Sequence, residues 1–126
     1  MAERCFRKAR TEVRFLSPAQ MNFEDLYSFV EKENKRLKSA YGPLDERTHT
    51  FGRAIKLTEE VGELNEALLS SFGLQRDEKL SRFSEEELEH EFADVMLCVL
   101  LLAESMDVDI AKALEEKIKK INKRKY

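Results

Sequence analysis

The stretch FADVMLCVLLLA, residues 92–103, is apolar on every side of a helix except at Asp94. A helix of this kind has no solvated face, so neighbouring helices have to cover it on all sides. Its uninterrupted apolar part, residues 95–103, is far too short to span a bilayer. Three partner helices of one small subunit cannot cover it comfortably. We therefore expect a homodimer or a dimer of dimers, with Leu100 or Val99 near a subunit contact.

Helical periodicity and capping residues predict four helices and an all-α fold. The expected helices run from Ser17-Pro18 or Asn22 to just before Gly42-Pro43, from an Asp45 cap to Gly73, from a Ser84 cap over residues 85 to about 106, and onward from an Asp109 cap. A polar connector, residues 74–83, joins the second helix to the third. The same residues therefore predict a helix–connector–helix hairpin in the middle of the chain.

Length and charge limit the class of protein. The chain has 126 residues and a formal net charge of −3, which favours one domain and argues against a nucleic-acid partner. Residues 1–17 form a basic N-terminal arm, and residues 18–126 form the helical domain. Cys5 and Cys98 show no spacing typical of a metal site or redox motif, which indicates a reducing, cytoplasmic setting. No membrane partner is expected.

The second predicted helix carries a group of acids in KLTEEVGEL, residues 56–64. On a helical wheel, Glu59 and Glu63 fall opposite an apolar stripe centred on Val61. Glu60 lies on the flank of that stripe. Taken alone, this arrangement is typical of a solvated helix face.

The third predicted helix carries acids that solvation does not explain. Glu91 and Asp94 share one side of that helix with apolar residues that are expected to be buried, namely Leu97, Cys98 and Leu101. An ionised acid in such a place costs several kcal/mol unless it is paired or bound to a metal. Because no Arg or Lys lies between residues 83 and 111, the compensating charge has to come from elsewhere.

Two pairs of acids can therefore face each other across the hairpin: Glu60 with Glu63, and Glu91 with Asp94. The i,i+3 spacing places each pair on one side of its helix. Four converging carboxylates repel one another unless a cation lies among them. An all-oxygen ligand set of this density selects a hard divalent ion, so the sequence predicts a Mg²⁺ site in which Mn²⁺ can substitute.

A different metal site is suggested by Glu87-x-x-His90, which matches the ligand unit of ferritin-like di-iron proteins. That architecture needs two such motifs and two further glutamates on other helices. The other histidine, His49, has no acid three residues before it. The sequence therefore favours the all-carboxylate site.

The acids also carry a resemblance to a known family. Glu59-Glu60-x-x-Glu63, a gap of 27 residues, and Glu91-x-x-Asp94 resemble the EExxE…ExxD signature of MazG-like nucleoside triphosphate pyrophosphohydrolases. The resemblance extends from about Phe23 to the end of the chain. It implies a four-helix MazG-like bundle completed by oligomerisation. It also implies Mg²⁺-dependent hydrolysis of (deoxy)nucleoside triphosphates to monophosphate and pyrophosphate.

The resemblance assigns roles to individual residues. Glu60, Glu63, Glu91 and Asp94 would be the metal ligands, and Glu59 would be a further ligand or would orient the attacking water. The candidate substrate-binding residues are Lys56, His49, Lys117, Asn122, Arg124 and Tyr126. Two alternatives stay open at this point. Lys56 can form an i,i+4 salt bridge to Glu60 instead, and the basic C-terminal residues can be a solvated helix end.

Two other functions are compatible with the same residues. A phosphoribosyl-ATP pyrophosphatase shares the chemistry but acts in histidine synthesis. A non-catalytic helical interaction module would keep the fold without needing the acids, yet all four are present. The biological task, removal of non-standard nucleotides or control of a normal pool, is not encoded in the signature, and we expect house-cleaning of the nucleotide pool.

Overall fold

The structure is a computed structural model, and it describes residues 20–125. Five helices follow one another: α1 Phe23–Tyr41, α2 Glu46–Ser71, α3 Asp77–Leu80, α4 Glu85–Ser105 and α5 Ile110–Asn122. No strand occurs in this range, which confirms the all-α fold class. The basic arm over residues 1–17, the alternative start at Ser17-Pro18, and Tyr126 lie outside the described residues.

The predicted helix starts are confirmed by side-chain caps. At each start, one side chain accepts a hydrogen bond from the backbone N–H three residues later, and the four capping residues are Asn22, Asp45, Ser84 and Asp109. Gly42 and Gly73 follow α1 and α2 with φ angles of 75° and 70°. This left-handed backbone strains other residues, so the two glycines mark where the helices end.

The connector between α2 and α4 is more ordered than the sequence predicted. Residues 74–83 were expected to be a polar linker, but Asp77–Leu80 form one helical turn, α3. Its first residues, Asp77 and Glu78, are acidic, and negative side chains are stabilising at the positive N-terminal end of a helix. A single turn is too short to show an apolar period, so periodicity could not reveal it. The turn directs Lys79 back to α2, where its Nζ lies 2.6 Å from Glu66 Oε1.

The hairpin of α2 and α4 forms the centre of the subunit, and α1 packs against α4. The two hairpin helices are antiparallel, because the early part of α2 meets the end of α4 through Arg53 and Leu101. Within residues 20–125, the buried apolar side chains are few: Val30, Ala67, Leu100 and Ala103. A core this small leaves much of the apolar surface of the other helices uncovered.

The face of α2 that contacts α4 differs from the predicted stripe. Val61, the expected centre of the stripe, is 39% exposed, whereas Glu60 is only 7% exposed. Ala67 lies two turns further along the same face and is also buried. Hydrophobicity alone centres the stripe on Val61, one residue after the acid that is buried, Glu60. The structure instead turns an acid inward and leaves Val61 outside.

One cation joins the three longest helices. The guanidinium of Arg53 on α2 donates to the carbonyl oxygen of Leu101 at 2.9 Å and to the hydroxyl of Ser105, both on α4. It also donates to the side-chain oxygen of Asn34 on α1. Burial lowers the pKa of Arg53, but its hydrogen bonds satisfy the charge. Arg53 therefore fixes the end of the hairpin that lies away from the acids.

The last helix, α5, is only loosely attached to the rest of the subunit. The hydroxyl of Tyr27 on α1 accepts a hydrogen bond from the backbone N–H of Ala111 at 2.9 Å. Beyond this start, the apolar side of the helix stays open, and Ile118 is 54% exposed. None of the helices in residues 20–125 combines the length and the apolar character needed to cross a membrane.

The two residues that the sequence placed near a subunit contact differ in exposure, and the contact itself stays a prediction. Leu100 is buried inside the subunit and is not available to a partner, whereas Val99 is exposed. Leu100 turns inward because it lies on the side of α4 that also buries Ala103. The outer side of α4 presents Phe92, Met96 and Val99 at helical spacing.

Candidate metal centre

Three acids converge between α2 and α4. One carboxylate oxygen from each of Glu60, Glu63 and Glu91 lies within 4.8 Å of the others. The i,i+3 spacing on α2 brings the first two to the same side, and the antiparallel packing of α4 supplies the third. Below, these three residues are called the acid cluster.

The acid cluster is electrostatically unfavourable without a cation. Burial, followed by the charges of Glu63 and Asp94, raises the pKa of Glu91. The neighbouring charge of Glu60 is the main cause that raises the pKa of Glu63. Both effects disfavour the ionised form that a hard metal ion would use.

One oxygen of the cluster also lacks a partner. Glu91 Oε2 is buried and forms no hydrogen bond with any described residue. A buried carboxylate oxygen without a donor is costly, and a metal ion would satisfy it. Three oxygen ligands with one orphaned atom fit a hard divalent ion such as Mg²⁺ or Mn²⁺.

Lys56 supplies a cation at the edge of the acid cluster. Its Nζ lies 2.6 Å from Glu60 Oε1 and 3.3 Å from Glu59 Oε1. The hydrogen bond to Glu60 is the main cause that raises the pKa of Lys56. The i,i+4 salt bridge is therefore the arrangement found in the structure. Binding of a phosphate by Lys56 stays a prediction, and it requires the ammonium to leave Glu60.

Asp94 lies near the acid cluster but is not part of it. It is exposed, and the group of converging oxygens does not include it. Its charge still contributes to the raised pKa of Glu91. The expectation that Asp94 shares a buried face is wrong for the single subunit, because Leu97, Cys98 and Leu101 on that side are only half-buried and Asp94 itself is exposed. A role as fourth ligand stays a prediction.

The other predicted substrate contacts lie apart from the acid cluster. His49 is on α2, eleven residues before Glu60, which corresponds to roughly 16 Å along the helix axis. Lys117, Asn122 and Arg124 are exposed on or just after α5. Within residues 20–125, no hydrogen bond or ion pair joins these three to the cluster. The single subunit therefore does not bring the predicted phosphate contacts to the acids.

The histidine of the alternative di-iron motif does not reach the acids either. His90 is exposed, and its Nε2 lies 3.9 Å from Glu86 Oε1 on the outer surface of α4. Among the described residues, the converging group contains carboxylates alone. The observed arrangement therefore favours oxygen ligands over the mixed nitrogen and oxygen set of a di-iron site.

A cavity that the sequence did not predict lies beside the acid cluster. Its volume is about 310 Å³, and its lining includes Glu63 and Glu91. Lys79, Arg82 and Phe83, from α3 and the residues after it, also line it. The sequence does show basic residues in the connector, Lys79 and Arg82 among them. A connector without predicted structure gave no reason to place these residues near the acids.

These features define an all-α protein with a carboxylate site between two antiparallel helices. Residues 53–126 match the family described as MazG nucleotide pyrophosphohydrolase domain. Because the match covers more than half of the chain, the chain belongs to this family. The match begins at Arg53, so it includes the acid cluster and leaves α1 outside. No curated protein and no solved structure matches the chain.

Family membership gives the general chemistry. It supports nucleotide pyrophosphohydrolase activity, and members of the family are typically metal-dependent. The acid cluster is the part of this chain that fits such a metal.

Proposed function

We propose that this protein hydrolyses (deoxy)nucleoside triphosphates to nucleoside monophosphate and pyrophosphate, with Mg²⁺ as the cofactor and Mn²⁺ as a substitute. The observation that carries the proposal is the acid cluster with the orphaned Glu91 Oε2. A structural role for these acids would pair each with a cation, whereas the described residues give Glu91 none. The fit to a hard ion is therefore chemical as well as geometric.

Glu60, Glu63 and Glu91 would hold the metal, with Asp94 as the fourth ligand. A bound Mg²⁺ would supply positive charge for the phosphate oxygens and would lower the pKa of a water. The binding side chains have to be ionised for this purpose, and the raised pKa values of Glu63 and Glu91 make that form unfavourable in the free protein. Binding of a cation therefore removes an existing repulsion.

In the proposed reaction, water attacks the α-phosphorus and the bond from this phosphorus to the bridging oxygen breaks. Pyrophosphate leaves with that oxygen. Glu59 is exposed and lies next to the cluster on α2, so its carboxylate would orient the water and accept its proton. Lys56 already links Glu59 to Glu60, which holds the two carboxylates side by side. In-line attack depends on positioning and neutralisation of charge more than on covalent chemistry.

We also propose that the active form is a homodimer or a dimer of dimers. The exposed apolar side chains support this, because Phe92, Met96 and Ile118 are each more than half exposed in the single subunit. Assembly offers a way to bring Lys117, Asn122 and Arg124 to an acid cluster from which they are separated within one subunit. The proposed setting is the cytoplasm, where the protein would remove unwanted nucleotides.

The test is a substrate panel. Purified protein is incubated with NTPs, dNTPs and phosphoribosyl-ATP, with Mg²⁺ or with EDTA, and release of pyrophosphate is measured. We expect release from one or more nucleoside triphosphates that stops with EDTA and returns with Mg²⁺ or Mn²⁺. Release from phosphoribosyl-ATP alone would assign the protein to histidine synthesis. No release from any substrate by a metal-binding, folded protein would favour a non-catalytic module.

A further inference from the structure

The cavity beside the acid cluster contains charges that the proposed chemistry does not use. The four acids in its walls are Glu63, Glu66, Glu87 and Glu91, and the two cations are Lys79 and Arg82. Glu63 and Glu91 belong to the acid cluster. The cavity is therefore continuous with the place where the reacting phosphate would be held.

The two cations of the cavity are not equivalent. Lys79 is engaged, because its Nζ lies 2.6 Å from Glu66 Oε1. The guanidinium of Arg82 forms no ion pair and no side-chain hydrogen bond with any residue in the described part of the chain. Arg82 is thus the cavity cation that is free to bind a ligand.

We propose that Arg82 binds the pyrophosphate portion of the substrate and of the product. This inference rests on the proposed function, because it extends the substrate from the acid cluster into the cavity. A guanidinium can donate two parallel hydrogen bonds to phosphate oxygens, and the terminal phosphates are the most highly charged part of the substrate. Arg82 would therefore be a substrate-binding residue supplied by the connector.

The remaining cavity acid has the opposite effect. Glu87 has no ion pair among the described residues and does not belong to the acid cluster. Its carboxylate repels a phosphate that enters the cavity. Removing the charge of Arg82 and removing the charge of Glu87 should therefore change pyrophosphate affinity in opposite directions.

The experiment compares Arg82→Ala, Arg82→Lys and Glu87→Gln with the unchanged protein. Calorimetry measures binding of pyrophosphate in the presence of Mg²⁺, and kinetics measure KM and inhibition by pyrophosphate. Arg76→Ala is the matched control, because Arg76 lies in the same connector but does not line the cavity. Circular dichroism establishes that each variant is folded, which is expected because Arg82 and Glu87 are exposed.

We expect Arg82→Ala to weaken pyrophosphate binding roughly tenfold, as for loss of a hydrogen bond to a charged group. KM should rise, Arg82→Lys should retain part of the affinity, and Glu87→Gln should bind pyrophosphate more tightly. Unchanged pyrophosphate affinity in Arg82→Ala would overturn the proposal, as would an equal loss in Arg76→Ala. A change in preference between bases without a change in pyrophosphate affinity would also overturn it, because Arg82 would then contact the base.

The two proposals can fail separately. If the unchanged protein releases no pyrophosphate from any nucleotide, the proposed function fails. Calorimetry would still show whether Arg82 binds pyrophosphate. If the unchanged protein is active and Arg82→Ala binds pyrophosphate normally, the role of Arg82 fails and the proposed function stands.

Discussion

The α2–α4 pair buries its contact face inside the subunit, whereas α5 leaves a comparably apolar face exposed. On the hairpin, Ala67 and Leu100 are each 7% exposed, and the buried face includes Glu60. On α5, Leu114, Ile118 and Ile121 are 45%, 54% and 40% exposed. Residues 92–103 of α4 are apolar on every side except at Asp94, whereas the apolar residues of α5 recur on one face at helical spacing.

The difference shows what each region needs from its surroundings. The hairpin is held within the subunit by Arg53 and by helix packing, and it assembles three acids without a partner. For α5, residues 20–125 provide a hydrogen bond at its start, from the Ala111 N–H to the Tyr27 hydroxyl. The acid cluster, which is the proposed metal-binding part of the site, is therefore formed by one chain. The predicted phosphate-binding residues on α5 would reach the acid cluster only if the proposed assembly brought them there.

The largest effect is expected from a change in the acid cluster. Glu91→Gln removes one negative charge and preserves the size of the side chain. We expect at least a roughly 100-fold loss of kcat, because several kcal/mol of metal-dependent stabilisation are lost. The Tm of the metal-free protein should stay the same or rise, since a poorly solvated charge is gone. Pyrophosphate release and thermal melts in EDTA measure the two effects.

The control for this change is Glu85→Gln on the same helix. Glu85 is exposed in the first turn of α4 and is not part of the cluster or the cavity. It should lose little activity. If Glu91→Gln remained fully active, Glu91 would not be a ligand of the catalytic metal. If its metal-free Tm fell sharply, Glu91 would have a structural role.

The next largest effect is expected from a change on α5. Its absence would show that the apolar face of α5 does not need a partner. Ile118→Asp places a charge in the centre of the exposed apolar face. If a partner subunit covers this face, burial of the unpaired charge opposes assembly. Light scattering should then shift toward the mass of one chain, 14.7 kDa. Lys119→Asp, on the polar side of the same turn, should keep the assembly of the unchanged protein.

Both results for α5 are informative. If Ile118→Asp keeps the original mass, the apolar face of α5 is not a subunit contact and the assembly uses the outer face of α4 instead. If the unchanged protein is already a stable monomer of 14.7 kDa, the proposed oligomer is wrong. The phosphate contacts on α5 would then have to reach the acids by another route.

A smaller effect is expected at the other end of the hairpin. Arg53→Leu removes the donor that serves Asn34, Leu101 and Ser105. We expect the free energy of unfolding to fall by about 1.5–3 kcal/mol, the range for hydrogen bonds that involve a charged group. Urea denaturation measures this change. Arg47→Leu, an exposed position in the first turns of α2, is the control and should change the stability little.

The features that the sequence predicted are those determined by nearby residues. Asn22, Asp45, Ser84 and Asp109 cap helices through hydrogen bonds to residues three positions away, so local chemistry was sufficient to place these starts. The i,i+3 spacing of Glu60 and Glu63 likewise placed both on one side of α2. The all-α fold, and three of the four acids that were predicted to converge, followed from such short-range patterns.

The features that the sequence did not predict depend on contacts between distant elements. Glu60 is buried because of the position at which α4 packs on α2. The hydrophobicity of Val61 predicted a different contact face. The cavity wall with Arg82 depends on α3, a single turn that has no period to detect. Asp94 is exposed although Leu97, Cys98 and Leu101, on its side of α4, are half-buried. Each of these requires knowledge of the neighbouring surface.

The smallest effect is a dependence of stability on pH that belongs to the hairpin and not to α5. Folding raises the pKa of Glu91 above its ordinary value of 4.5, mainly through burial. Between the unfolded and folded pKa values, the folded protein binds more protons than the unfolded chain. Its free energy of unfolding therefore falls as pH rises through this window. Below the window, Glu91 is protonated in both states and the penalty is absent.

Comparison with Glu91→Gln isolates this contribution. Groups with a lowered pKa, such as Asp45 and Glu46, act in the opposite direction but are common to both proteins, so they cancel in the difference. In EDTA, the Tm advantage of Glu91→Gln should be small near the ordinary pKa of a glutamate and should grow as pH rises toward neutrality. Saturating Mg²⁺ should reverse the advantage, because the metal stabilises the unchanged folded protein by binding it. A Tm difference that is independent of pH and of Mg²⁺ would show that Glu91 carries no unfavourable charge and binds no metal.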